Sequence, residues 1–336
     1  IFLVIMFITS LKKFSFAIMK NISTLMGLTA VVMFAGTFPA TKLALEVYSP
    51  LHVTCLRASS AALFALLFFI YVKLINRQFV INTENYFFSS IRLNEIRELF
   101  IIGLLLVFGF PGAATFALAE VSSAYGAVIL AMLPLCLSAA AVIIAKERPP
   151  LLFWACSLIA ATLVGIFMVN AYYLKEYVNS ETNQNFILGN FWLLVACLCA
   201  AIGYTKSASL NKKFSGFYII SWGLCLTSPI SFILSYFLWS KNLSIYDALY
   251  HSSSLWVVLY LGFLSMFIGN CLWSIALSKG GIAKIGQLQF FQPFITIFIS
   301  FWLLSETITK EMILFASTVT LVVIIGQRQR FSEKLT

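Results

Sequence analysis

Charge is what this chain has least of: only 10% of its 336 residues are Asp, Glu, Lys or Arg, against about a quarter in a soluble globular domain. With 61% hydrophobic residues and a mean hydropathy of +0.97, the chain carries more apolar surface than a water-soluble core of this length can hide. Its solvent is therefore lipid. Histidine is nearly absent, with only His52 and His251 in the chain. No HExxH, GxSxG or Walker pattern occurs, nor an acidic metal pair, which removes the common arrangements for hydrolysis, nucleotide binding and metal chemistry. The missing nucleotide motif argues against an ATP-driven pump. Blocks of like charge are missing too. The net charge of +10 comes from bases scattered through short loops, so no nucleic acid is expected as a partner. All seven cysteines lie inside apolar runs, where they act as small hydrophobes. Cys197 and Cys199 stand too close together for a metal knuckle, and neither metal nor cofactor is expected.

What the chain does have is apolar runs of membrane length, each of roughly 17–25 residues. They fall at Ser23–Leu45, Leu51–Leu74, Leu99–Ala119, Ser122–Ala145, Leu151–Val169, Phe186–Ala208, Phe217–Trp239, Ser254–Leu277, Ile282–Leu304 and Glu311–Gly326. All but five of the 22 basic residues then gather on the face that holds the amino terminus. The exceptions are Lys175, Lys241 and Lys310 on the other face, and Lys42 and Arg57 within spans. The positive-inside rule places both termini in the cytoplasm. Residues 1–18 are an extension of unclear status, because Ile1–Leu11 is too short to span and Met19 opens a natural start.

The second half repeats the first at an offset of 159 residues. Ala117, Leu118, Ala124, Pro134 and Glu147 fall on Ala276, Leu277, Ala283, Pro293 and Glu306, and upstream Gly103, Leu105 and Phe108 fall on Gly262, Leu264 and Phe267. In each half a proline sits thirteen residues before a glutamate that closes an apolar run. Five spans per half is an odd number, so the second copy enters the membrane from the opposite side. The expected fold class is thus an all-α integral membrane protein, ten transmembrane helices as two inverted five-helix repeats. The first repeat covers 19–169, an external loop 170–185, the second repeat 186–327 and a cytoplasmic tail 328–336.

Ionisable or strongly polar side chains inside a span are functional candidates because burying them is costly. Lys42, in GTFPATKLAL, reads either as a contact for an anionic group at a central cavity or as a side chain snorkelling to the interface. Arg57 carries the same pair of readings, with structural pairing to carboxylates favoured. Gln289 and Gln292 stand about 60° apart on one helix face, suited to a cavity wall or to holding neighbouring helices together. Tyr204, Asn270 and Trp273 complete the candidate substrate-binding set. Pro134 and Pro293, equivalent under the repeat, are candidate hinges. Glu147 and Glu306 read as caps for the amino termini of the helices that follow them, or as proton-coupling groups.

Lys42, Pro50 and Arg57, the alanine-rich turn into the fourth span, and the endings Pro134/Glu147 and Pro293/Glu306 together resemble the drug/metabolite transporter superfamily, EamA type, from about Met19 to Gly326. The resemblance implies a secondary transporter of a small metabolite, an amino acid or related compound, working by alternating access through a cavity between the repeats. Its partners would be that solute, the lipid bilayer and a coupling proton or ion, and its place the bacterial cytoplasmic (inner) membrane. No enzyme activity is expected. The alternatives are a channel, although no charge ring or carbonyl filter is evident, and a membrane-embedded enzyme, although no reactive cluster is present. The second half departs from the family pattern, since FYIISWGLCLTS offers no counterpart to Arg57.

Overall fold

The structure, a computed structural model, describes residues 22–75, 92–145, 151–174, 183–210, 214–242, 252–280, 285 and 287–332. Glu147, Gly286 and the extension 1–18 lie outside these. Among the described residues the chain is helical apart from short turns. We label the helices α1 (Ile22–Leu45), α2 (Pro50–Ile75), α3 (Leu93–Glu120), α4 (Ser123–Leu130 and Leu133–Ala145), α5 (Leu151–Leu174), α6 (Asn183–Leu210), α7 (Gly216–Asn242), α8 (252–280), α9 (Gln287–Phe291, then Gln292–Leu304) and α10 (Lys310–Ser332).

Seven of these are long and apolar enough to cross a membrane, and the two pieces of α4 make an eighth if they form one bent span. Ten were expected from the sequence. The difference lies in α9 and α10. The apolar part of α9 among the described residues is Leu288–Leu304, shorter than a full span, and its first turn is wound as a 3₁₀ segment. α10 has Lys310 and Glu311 at one end and Arg328 and Arg330 at the other, so its apolar stretch is short.

Helices from the two halves pack across one another rather than forming separate bundles. α2 lies against α7, α4 against α9, and α5 against α10. The remaining large contacts come in exchanged pairs: α3 with α6 and α1 with α8; α4 with α6 and α1 with α9; α2 with α8 and α3 with α7. Small residues set the closest of these crossings. A methyl group on Gly103 of α3 would stand 2.6 Å from the Gly223 carbonyl of α7, and one on Gly262 of α8 would stand 2.8 Å from the Arg57 carbonyl of α2. Only glycine allows backbones so near. Gly103 and Gly262 are equivalent under the 159-residue offset.

The same offset relates two stretches of π-helix, Leu104–Gly109 in α3 and Tyr260–Gly269 in α8. Such segments are rare, and their wider turns redirect the side chains that follow. Hydroxyl pairs tie the halves together: Thr37 with Ser265 at 2.7 Å, Ser59 with Ser235 at 3.1 Å and Ser123 with Ser300 at 2.7 Å. Each is worth about 0.6–2 kcal/mol in a bilayer.

The outer surface is apolar. Leu158 is 71% exposed and Phe298 67%, as expected of side chains that face acyl chains. Tyr173, Tyr236, Trp256 and Trp302 are the most exposed large aromatics, and they stand near the ends of α5, α7, α8 and α9. Amphipathic rings prefer that depth, at the boundary between lipid and water.

Candidate functional site

The site grows out of two interrupted helices. α4 breaks at Ala131 and Met132 and resumes with Pro134 as its second residue; α9 leaves its 3₁₀ turn and resumes with Pro293 as its second residue. Proline has no amide hydrogen and crowds the preceding turn, so the break precedes it in both helices. The carbonyls four residues back, on Leu130 and Gln289, lose their normal helical donor. Leu130 and Gln289 both line the same cavity.

This cavity is small, about 30 Å³, and opens partly to the outside. That is room for about two waters, well below the roughly 300–1,000 Å³ typical of small-molecule sites, so in this conformation its walls stand too close together to enclose a metabolite. Ala127, Leu130, Ala131 and Leu133 of α4 form one wall; Gln289, Phe290, Gln292, Pro293 and Thr296 of α9 form the other; Phe38 of α1 and Thr320 of α10 close the sides. Both halves therefore contribute. Gln289 and Gln292 are half-buried, and no side chain among the described residues hydrogen-bonds either amide. Two donor–acceptor groups are left pointing at a largely apolar space. That arrangement can fix the polar end of a solute while the walls cover its apolar body.

Thr296 extends the same face, four residues beyond Gln292, and its hydroxyl donates to the Ala35 carbonyl of α1 at 2.9 Å. Pro39 explains the vacancy it fills, because Ala35 is the residue whose carbonyl the Pro39 amide would otherwise have met. α1 has its own turn at Gly36. The break in α1 is thus stitched to α9 directly beside the cavity.

At one end of the cavity the turn between α3 and α4 is held by two opposite charges. The Lys42 ammonium donates to the carbonyls of Leu118 at 2.5 Å and Val121 at 2.9 Å. The Glu306 carboxylate accepts from the Ser123 amide, the Ser123 hydroxyl and the Ala124 amide, each at 2.9 Å. A cation on the carboxyl end of α3 and an anion on the amino end of α4 complement both helix dipoles. Ser305, left-handed at φ 52°, ends α9 and turns Glu306 back toward that site. Glu306 is therefore a helix cap as its sequence suggested, but of α4 in the other half rather than of the helix that follows it.

The structure brings Gln289, Gln292 and Pro293 together at the cavity, whereas Lys42, Tyr204, Asn270 and Trp273, expected with them, are not among the residues that line it. Lys42 is engaged one turn beyond Phe38. The Asn270 amide donates to its own helix, at the Met266 carbonyl 2.8 Å away. Trp273 is 7% exposed and packs edge-on against Phe34. Tyr204 of α6 stands near Arg57, with Tyr260 of α8. Arg57 is buried, and among the described residues no carboxylate pairs with it; the ion pair they do contain joins Lys206 to Glu98 at 2.6 Å. Thr296, Thr320 and Phe38 were not foreseen. Thr296 could have been found, since Gln289, Gln292 and Thr296 recur at the i, i+3, i+7 spacing of one helix face.

A polytopic helical membrane protein with a cavity between interrupted helices is the architecture of a transporter. The comparisons agree. The chain matches the EamA-like transporter family over residues 21–171 and again over 187–326, and it belongs to that family. It is 28% identical over 309 residues to the "Uncharacterized transporter YdeK" of Bacillus subtilis (strain 168), covering 91% of this chain and 96% of that one. A crystal structure of a protein 15% identical in sequence aligns over 92% of this chain and 97% of that one with a TM-score of 0.59, which shows a shared fold. Transporter and integral membrane protein are therefore established, and the family points away from an enzyme.

Proposed function

We propose that this protein is a secondary carrier that moves a small metabolite, an amino acid or related compound, by alternating access between two inverted five-helix units. The first unit spans 19–169 and the second 186–327. One observation carries the reading: two helices, one from each unit, change course at equivalent prolines and face each other across a cavity where the Gln289 and Gln292 amides have no hydrogen-bond partner among the described residues. The exchanged helix contacts and the equivalent π segments of α3 and α8 support the inverted repeat and ten spans, with α9 and α10 completing the second unit. The gathering of 17 of the 22 basic residues on the face that holds the amino terminus supports cytoplasmic termini.

In this reading the solute lies against α4 and α9, bound through Gln289 and Gln292. Lys42 and Glu306 fasten the external turn, and their bonds must part when that side opens. Pro134 and Pro293 are the points about which α4 and α9 bend. A coupling proton or ion drives the cycle.

Counterflow in proteoliposomes tests this. Purified protein is loaded with unlabelled amino acids and their derivatives, and labelled solute is added outside. The expected result is saturable counterflow whose KM rises about two- to tenfold in Gln289→Ala and in Gln292→Ala, the loss of one neutral hydrogen bond each. Flux that never saturates, or that ignores both substitutions, contradicts the assignment.

A further inference from the structure

We propose that Arg57 is the fixed cation of an anion subsite that receives the carboxylate of the transported solute. The proposal rests on the carrier reading above and deepens it by naming the charge of the solute.

Arg57 lies on α2 and is 6% exposed. A guanidinium carries five N–H donors and no acceptor. Its one hydrogen bond among the described residues is a long one, 3.4 Å from Nη2 to the Ser265 hydroxyl, and Nε has no partner there. A buried charge normally sits with a counterion, because desolvation is otherwise uncompensated. Among the described residues no carboxylate supplies one. What surrounds the guanidinium instead is hydroxyl groups. Ser265 is also bonded to Thr37 at 2.7 Å, and the phenols of Tyr204 and Tyr260 stand near enough to feel the charge. Hydroxyls are neutral and leave the cation unbalanced; Tyr260 and Thr37 both donate to the Met33 carbonyl, at 2.8 and 3.3 Å, so the guanidinium itself is the donor that an anion would meet.

The backbone is shaped for this group. Gly262 lets α8 approach the Arg57 carbonyl, and the π segment that contains both Gly262 and Ser265 brings the Ser265 hydroxyl to the guanidinium. Four helices meet here: α1, α2, α6 and α8. Thr37 directly precedes Phe38, a residue that lines the cavity on α1, so α1 links the two places, although Arg57 and Ser265 themselves stand outside the cavity lining. An occupant reaches Arg57 when α1 and α8 part. The repeat sharpens the point. The counterpart of Arg57 in the second half is Gly223, whose carbonyl faces Gly103 as the Arg57 carbonyl faces Gly262, so the fold's symmetry does not require a cation here. One unmatched cation suits one anionic group per solute.

The experiment measures thermal stabilisation of the purified full chain by the proteinogenic amino acids and short mono- and dicarboxylates. Each is set beside its uncharged amide, with chloride and inorganic phosphate as separate arms. Wild type is expected to respond to at least one carboxylate at a concentration at least tenfold below that of its amide. Arg57→Met should abolish that preference and, without ligand, melt no lower than wild type, because an unpaired buried charge has been replaced by an apolar chain of similar length. Arg57→Lys should keep part of the preference. Three results overturn the proposal: equal response to carboxylate and amide throughout, a preference that survives Arg57→Met, or protection by chloride or phosphate alone, which would make the occupant a resident inorganic ion. Counterflow separates the two claims. Saturable counterflow of a neutral solute unchanged in Arg57→Met leaves the carrier standing and removes the subsite; carboxylate preference without counterflow does the reverse.

Discussion

At the scale of single residues, the charges that are costly in a bilayer turn out to hold backbone as much as they wait for ligands. Glu306 is the clearest case, since its carboxylate meets three donors at the start of α4. Replacing it with Gln leaves one neutral oxygen for two amides and a hydroxyl. Glu306→Gln is expected to lower stability by about 1–3 kcal/mol, read from unfolding in detergent, and unchanged stability would show the cap to be idle. Sequence disclosed the glutamate and its capping role but not its partner. The partner lies more than 180 residues away, at Ser123 and Ala124, and local spacing carries no information about such a contact. Gln289 and Gln292 were legible because helical periodicity is local. Lys42 and Arg57 were legible as anomalies, yet whether each meets a carbonyl, a hydroxyl or a carboxylate is decided by other helices.

At the scale of the helix, the duplication recorded in the sequence reappears as duplicated irregularity. Gly103 and Gly262 both sit at the closest crossings, and a π segment follows or surrounds each. A methyl group at either position would press on backbone, which cannot rotate away. Gly103→Ala and Gly262→Ala are each expected to destabilise the fold by about 1–3 kcal/mol, measured by thermal melting beside the harmless control Gly165→Ala, where the added carbon meets nothing within 4 Å. Pro293→Ala restores an amide donor to α9 and should straighten it. That variant is expected to keep or raise stability while slowing counterflow, whereas faster counterflow would contradict a hinge at Pro293. Seven of the ten expected spans, and an eighth if the two pieces of α4 form one, recur as helices long and apolar enough to cross a membrane, because hydropathy is local. The π segments and the 3₁₀ turn at Gln287–Phe291 were not, because a one-residue change in winding leaves composition untouched.

At the scale of the whole molecule, the two family units are interleaved, so neither encloses the cavity alone: α4 supplies one wall and α9 the other. The proposed ten spans put both termini in the cytoplasm, so tags at either end should be digested only when protease is admitted to that side. Cleavage of the two tags from opposite sides would remove the inverted repeat. The claim on which the account rests is that this one cavity communicates with each side of the membrane in turn. Its most direct test places a single cysteine at Ala127, a cavity position, in a chain whose seven native cysteines have been replaced, and measures labelling by a membrane-impermeant thiol reagent in oriented vesicles. The account predicts labelling from either side, protection by solute, and a shift of reactivity from one side to the other when α4 and α9 are held by a crosslink at their external ends. Labelling from one side only, whatever the solute and the crosslink, would contradict it.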